Sequence, residues 1–403
     1  MLTGVWADLV GQEKAVGVLR RATESQPGRS SHAMSHAWLI TGPPGSGRSN
    51  AAKAFAAALQ CVDHGCGQCN ACRTALSGAH PDVTLVRTEA LSIGVDEVRE
   101  LVRRAAMNPV HGRHQVVVVE DADRITERGA DALLKAIEEP APKTVWLLCA
   151  PTPEDVIVTI RSRCRRLHLA TPRDEAVADL LVRRDGIAPE LAAEAARAGQ
   201  GHIGRARRLA SDQEARARRS AIGELPTRLR SLGDCLQAAE DLVNQASEEA
   251  AAATAQVDSA ERAELEKALG FGSSGARPRN AQAAMRDLEK QQSARLKRLQ
   301  RDALDRVLTE LTAYHRDVLA IQTGAVRPEE ENALRGARLV NAGWSGALHR
   351  VADSHSPEHT VATIDAILAA RNSLERGVTP LLVMETLLIA MTGADHALSL
   401  IHI

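Results

Sequence analysis

An α/β domain on a parallel sheet, followed by an all-α region, is the fold class this sequence predicts, and three observations carry it. Val116 to Val119 is an unbroken β-branched run ending on Glu120 and Asp121, and Thr144 to Cys149 is a second apolar run. Runs without polar alternation suit strands covered on both faces, as in parallel sheets. Between them Ala132 to Glu139 has helical spacing and stops before Pro140, as a crossover helix does. Composition supplies the third observation. Hydrophobic residues make up 44% of the 403 but aromatic residues only 2%. Cores must therefore be built from Leu, Val, Ile and Ala, which favours helices over an all-β architecture elsewhere.

The phosphate-binding half of such a fold belongs on an earlier strand. Ala37 to Ile40 is a short apolar run feeding Gly42-Pro-Pro-Gly45-Ser-Gly47-Arg48-Ser49, and Asn50 to Leu59 is Ala-rich and helical. The octapeptide matches G-x4-G-K-[ST] except that Arg48 stands where lysine belongs. Glycines at these places let backbone N–H groups converge on phosphate, and the following helix adds positive potential at its N-terminus. Taken alone the octapeptide is an ordinary Gly/Pro turn. Its setting between strand and helix, ahead of an acid-tipped strand, makes it a phosphate loop. Gly42, Gly45, Gly47, Arg48, Ser49, Glu120 and Asp121 are the candidate nucleotide-binding residues. The site departs from an active one: guanidinium is broader and planar where ammonium is a compact charge, and the strand-tip acids run Glu then Asp.

In chain order, Trp6, Leu9 and Val10 precede Gly11-Gln12 and a helical stretch to about Ala22, and Glu24 to Ser35 is a Ser/Gly/Pro-rich loop. Cys61-x4-Cys66-x2-Cys69-x2-Cys72 follows the phosphate-loop helix. Four thiolates within twelve residues suit a closed, structural tetrahedral zinc site. The alternatives are an iron–sulfur cluster, for which Leu76 stands where a fourth cysteine is expected, and free thiols clustered by chance. Asp82 to Arg87 reads as a strand and Asp96 to Ala106 as a helix with Val98, Leu101 and Val102 inward. Arg161 to Arg166 is a basic run with Cys164 inside it, a solvated face unless something selects one of its arginines. Residues from about 171 to 213 are helical in pattern, and so is the chain from about 214 onward. Within that region 244–300 is dense in Ala, Glu, Arg and Lys and is broken at Gly270 to Pro278. It reads as an insertion of two polar helices around a flexible tip, either a solvated hairpin or partly disordered. Asp302 to Thr323, Val361 to Ser373 and Leu381 to Met391 have core spacing.

Formal net charge is −1, so nothing global commits the chain to nucleic acid or membrane, and any DNA contact is local. The start lacks a basic segment followed by an apolar one, and no apolar run nears the roughly 18 residues of a membrane span, so a soluble cytoplasmic protein is expected. Seven cysteines, four of them clustered, fit a reducing compartment with metal binding better than a disulfide framework.

Asp8 to Gln12, Thr41 to Ser49, the four-cysteine insert, Ser92 to Arg99, Ala132 to Pro140 and Ser162-Arg163-Cys164 together resemble the AAA+ clamp-loader subunits of bacterial DNA polymerase III. The likeness is dense in the first half of the chain and loose in the second, chiefly Asn372 to Met391. It implies a P-loop AAA+ αβα domain over 1–170, a small helical lid over 171–213 and a helical collar domain over 214–403 carrying the insertion. It also implies a hetero-pentamer with gamma/tau ATPase subunits and a delta subunit, acting on a sliding clamp and primed DNA within the polymerase holoenzyme. In that family the arginine of Ser-Arg-Cys reaches the γ-phosphate of a neighbour's ATP, which assigns the role of arginine finger to Arg163, with Arg161 secondary. Active relatives carry a lid arginine, where Gly204 falls with Arg205 one position on, and a polar sensor after the second strand, where Ala150-Pro151 has no hydroxyl. With Arg48 and the exchanged acids these departures imply a subunit that does not hydrolyse ATP. The competing expectation is a motor subunit in which Arg48 replaces lysine, or an AAA+ protein of another DNA transaction.

Overall fold

The computed structural model describes residues 2–24, 34–88, 92–269, 281–326 and 339–392. The chain divides into two compact units, Met1–Asp212 and Gln213–Ile403.

The first unit is a five-stranded, wholly parallel sheet: β1 (Ala37–Thr41), β2 (Val83–Val86), β3 (Gln115–Val119), β4 (Thr144–Ala150) and β5 (Arg165–His168), in the order β2-β3-β4-β1-β5. Trp38 lies opposite Leu147 of β4 and Arg165 of β5, and Val117 opposite Trp146. Pleating sends alternate residues to opposite faces. Trp38, Ile40, Val116, Val118 and Leu147 therefore pack with α1 (Glu13–Thr23), α2 (Arg48–Gln60) and α3 (Asn70–Ser77), while Leu39, Val117, Val119, Trp146 and Leu148 pack with α4 (Val95–Ala105) and α5 (Glu127–Glu138). Every residue of β1, β3 and β4 is buried, which is why their sequence shows runs instead of alternation. The helix between β3 and β4 starts earlier than the apolar spacing suggests, because the Thr126 hydroxyl accepts from the Gly129 N–H and caps it. The short α6 (Val158–Arg161) precedes β5, and α7 (Asp174–Asp185), α8 (Pro189–Gly199) and α9 (Ile203–Ser211) complete the unit.

The second unit is all helical among its described residues: α10 (Gln213–Arg228), α11 (Leu232–Ala268), α12 (Ala281–Gln322), α13 (Ser345–Ser354), α14 (Pro357–Glu375) and α15 (Pro380–Met391). Leu242 and Ala246 of α11, Leu304, Leu308 and Leu311 of α12, Ile367 of α14 and Leu388 of α15 share one core. At 37 and 42 residues, α11 and α12 are about 55 and 63 Å long. Towards Ala268 and Ala281 ion pairs join them: Arg295 donates to Asp258 at 2.7 Å and to Glu261 at 2.8 Å, and Arg306 reaches Glu249 at 2.7 Å. The polar stretch is thus a pair of packed helices. Its Gly270 to Pro278 break lies outside the described residues, as does most of the loop from Glu24 to Ser35.

Candidate functional site

In a parallel sheet the loops after the strands gather at one end, and the phosphate loop after β1 and the acids after β3 meet there, with β4 between them. Gly42, Gly45 and Gly47 form the turn, and Arg48 and Ser49 open α2. Gly45 has φ +80°, and a Cβ there would come within 2.5 Å of the His202 Cα, so only glycine fits. His202 is the N-cap of α9: its Nδ1 accepts from Arg205 N–H at 3.1 Å, while Ile203 N–H donates to the Gly45 carbonyl at 3.4 Å. Helix α9 therefore packs directly against the loop. Burial holds His202 below the usual imidazole pKa, so it stays neutral and able to accept. Gln12 ties the opposite side, donating to the Ala170 and Ser46 carbonyls and accepting from Ala170 N–H at 3.1 Å. The motif that ends on Gln12 thus braces the loop, a role its sequence did not reveal. Leu9 and Val10 line an open cleft of about 510 Å³ with Gly11, Thr171, Pro172 and Ala176. Glu13, Arg173, Asp179 and Arg183 also line it, so apolar and charged groups share the cleft.

The polar groups fit a magnesium-bound triphosphate less well. Arg48 donates to the Gly42 carbonyl of its own loop at 2.9 Å. Glu120 is ion-paired with Lys53 of α2 at 2.9 Å, both side chains largely buried. Asp121 follows it, and nearby Asp123 is held above the usual carboxyl pKa by burial and by the Asp121 charge. Cys149 lies beneath these groups, its thiol pushed up to about 12 by burial. Past β4, Pro151 uses its carbonyl to accept from Gly42 N–H, and the Thr152 hydroxyl is committed to Asp155 at 2.9 Å. Lys53 went unnoticed in the sequence because a lysine in an Ala-rich helix reads as solvated, and its partner lies 67 positions away.

Arg163 is at the other end of the sheet. It precedes β5 by two residues, and β5 runs parallel to β1 with Arg165 opposite Trp38. Counting along the register, Arg163 is roughly 20 Å from its own loop at about 3.3 Å per residue. It is ion-paired with Glu138 at the end of α5 and donates to the Thr159 carbonyl at 2.9 Å, with its side chain 40% exposed. Arg161 is occupied by Glu154 and the Pro153 carbonyl, and Arg165 stacks over Trp38 at 4.8 Å. Cys164 points inward, its thiol pushed up to about 12 by burial.

The four cysteines Cys61, Cys66, Cys69 and Cys72 converge between α2 and α3, every Sγ within 4.8 Å of the others. Cys61 is 3.7 Å from both Cys66 and Cys69. Bonds of about 2.3 Å to a tetrahedral zinc would set sulfurs roughly 3.8 Å apart. The Cys69 N–H points at the Cys66 sulfur and the Cys72 N–H at the Cys69 sulfur, both at 3.4 Å. Cys61, whose gap to the next cysteine is longest, sits fully in the cluster. Gly65 accepts from Val5 N–H at 3.1 Å, so the cluster anchors the segment carrying buried Trp6.

A family model described as DNA polymerase III, delta subunit, matches residues 11–173. The gamma/tau subunit of DNA polymerase III from Mycobacterium tuberculosis is 33% identical over 208 residues, 46% of this chain and 35% of that protein. The delta' subunit from Haemophilus influenzae is 38% identical over 144 residues, 35% of this chain and 44% of the relative. Among solved structures, a gamma subunit-related protein of DNA polymerase III from Thermotoga maritima aligns over 94% of this chain and 99% of its own at 16% identity and a TM-score of 0.42. The chain spans less than half the length of these curated relatives.

Proposed function

Residues 11–173 match a family model described as DNA polymerase III, delta subunit, and from that premise we propose that the chain is a clamp-loader subunit of delta-prime type that does not hydrolyse ATP. It completes a pentameric ring with gamma/tau and delta subunits and gives Arg163 to the ATP of a neighbour, so that the ring can load a sliding clamp on primed DNA. The observation that carries this reading is the placement of Arg163, half exposed and at the sheet end remote from its own phosphate loop. A cation there is out of reach of its own loop. As phosphoryl transfer proceeds, charge builds on the equatorial and leaving oxygens, and a planar guanidinium neutralises it without any proton transfer. Glu138 and the Thr159 carbonyl hold the side chain in one rotamer family beforehand, which lowers the entropy lost on engagement.

At its own loop, Arg48 turned onto Gly42 and Glu120 paired with Lys53 support binding of nucleotide without cleavage. We assign the four cysteines to one structural zinc, on the sulfur spacing and the two N–H donors, with all coordination positions filled by thiolate so that no catalytic position is open. The helical second unit would be the collar. The gamma/tau similarity favours a second reading, an ATP-hydrolysing motor subunit. Reconstitution of the ring with Arg163→Ala tests the first: turnover at the neighbour's ATP should fall by about 10³-fold or more, the scale of a trans arginine, and the ring's DNA-stimulated ATPase should lose that site's share. Unchanged turnover would remove the finger assignment.

A further inference from the structure

We infer that Lys53 is the resident counter-ion of the β3 tip, standing where a divalent metal stands in a hydrolysing loop, so that a nucleoside di- or triphosphate binds this loop without metal. In magnesium-dependent phosphate loops the ion is held between the loop hydroxyl and a strand-tip acid. Here the loop hydroxyl is Ser49, and Lys53 follows it by four residues, one turn along the same face of α2. That face looks onto the tip of β3, where the Lys53 ammonium reaches the Glu120 carboxylate at 2.9 Å, with 28% and 12% of the two side chains exposed. The cation is covalently tethered, so its local concentration is permanent and its pairing costs no dehydration of a free ion. Magnesium is the reverse case: it sheds water reluctantly and demands oxygen ligands in near-octahedral array. To coordinate Glu120 it would have to displace an ammonium that offers no oxygen and repels it. Buried ion pairs resist losing one member, because the remaining charge is left unpaired in poor solvent.

The phosphate-facing side is compatible with this. Arg48, now on the Gly42 carbonyl at 2.9 Å, is a second tethered cation at the loop, and the Ser46 hydroxyl is buried without a hydrogen-bond partner among the described residues. Together with the loop N–H groups these can meet phosphate oxygens directly. The inference rests on the non-hydrolysing reading of this loop and adds its physical cause.

Mn²⁺ serves as the probe. It is titrated into the full-length chain and read as loss of the free-ion paramagnetic resonance signal, with and without ADP. The wild-type chain should show no Mn²⁺ site that depends on Glu120, whether ADP is present or not. Lys53→Met should gain one, at least about tenfold tighter than any wild-type binding, and adding Glu120→Gln should abolish it. Lys53→Gln repeats the test with a polar neutral side chain should the methionine variant fold poorly, and Lys53→Arg should stay blind to Mn²⁺. A wild-type Mn²⁺ site lost in Glu120→Gln, or no gain in either neutral variant, overturns the inference. Because the readout is metal occupancy, ATP turnover by the chain would sink the non-hydrolysing reading separately.

Discussion

Asp82 offers the most quantitative check on how the first unit is held together. It lies just ahead of β2, 1% exposed, and its carboxylate accepts from the backbone N–H groups of Val110 at 2.7 Å, His111 at 2.8 Å and Gly112. These bonds shape the turn that delivers the chain into β3 and hence Glu120 to the site. Burial alone would raise the Asp82 pKa, but the three N–H donors win and hold it below the usual carboxylate range. Charge-assisted hydrogen bonds contribute roughly 1.5 kcal/mol or more each. Val110 and His111 are exposed, so water can recover part of two of them in a truncated variant. Asp82→Ala should therefore cost about 3 kcal/mol, or roughly 6–12 °C in the melting temperature of a unit this size. The folded pKa is depressed, so the contribution is full above the ordinary carboxylate value of about 3.9 and is lost as pH falls through the lower folded value. Calorimetry of wild type and variant from neutral to strongly acidic pH measures both effects. A loss under about 1 kcal/mol at neutral pH, or a gap that fails to close in acid, would refute the reasoning.

Three further outcomes follow from the same structure. Metal analysis should find about one zinc per chain, and Cys69→Ser should release it and loosen the segment around Trp6, seen as faster proteolysis near the N-terminus; a visible absorbance band with stoichiometric iron would replace zinc by a cluster. In the second unit Arg219 pairs with Glu310 at 3.1 Å, both nearly buried, and lies 4.4 Å over Trp344. Arg219→Met should cost about 3–5 kcal/mol by taking the guanidinium away from the nearly buried Glu310, with most of it recovered when Glu310→Met is added, as denaturant titration would show. Glu138→Gln breaks an ion pair whose members are each about 40% exposed, so it should change stability by less than about 1 kcal/mol while lowering the reconstituted ring's ATPase less than Arg163→Ala does.

The strands β1, β3 and β4 were legible because continuous apolar runs leave few other readings, and the loop and cysteine spacing because both are local. What stayed hidden depends on partners distant in sequence. The Lys53 to Glu120 pair, the Gln12 brace and the seating of His202 on Gly45 each join residues more than 30 positions apart. The long pairing of α11 with α12 was only half visible, since Ala246, Ala250 and Thr254 are small residues whose burial no hydrophobic stripe announces. The charge pattern placed Arg163 in a basic run, but only the parallel direction of β5 shows that it lies at the sheet end away from its own loop.

The central claim is that this chain's own loop does not split ATP, and the most direct measurement is turnover by the purified chain at saturating magnesium and ATP. The account predicts none above an Arg48→Ala control. Steady hydrolysis at the rates of AAA+ motors, abolished by Arg48→Ala, would contradict it.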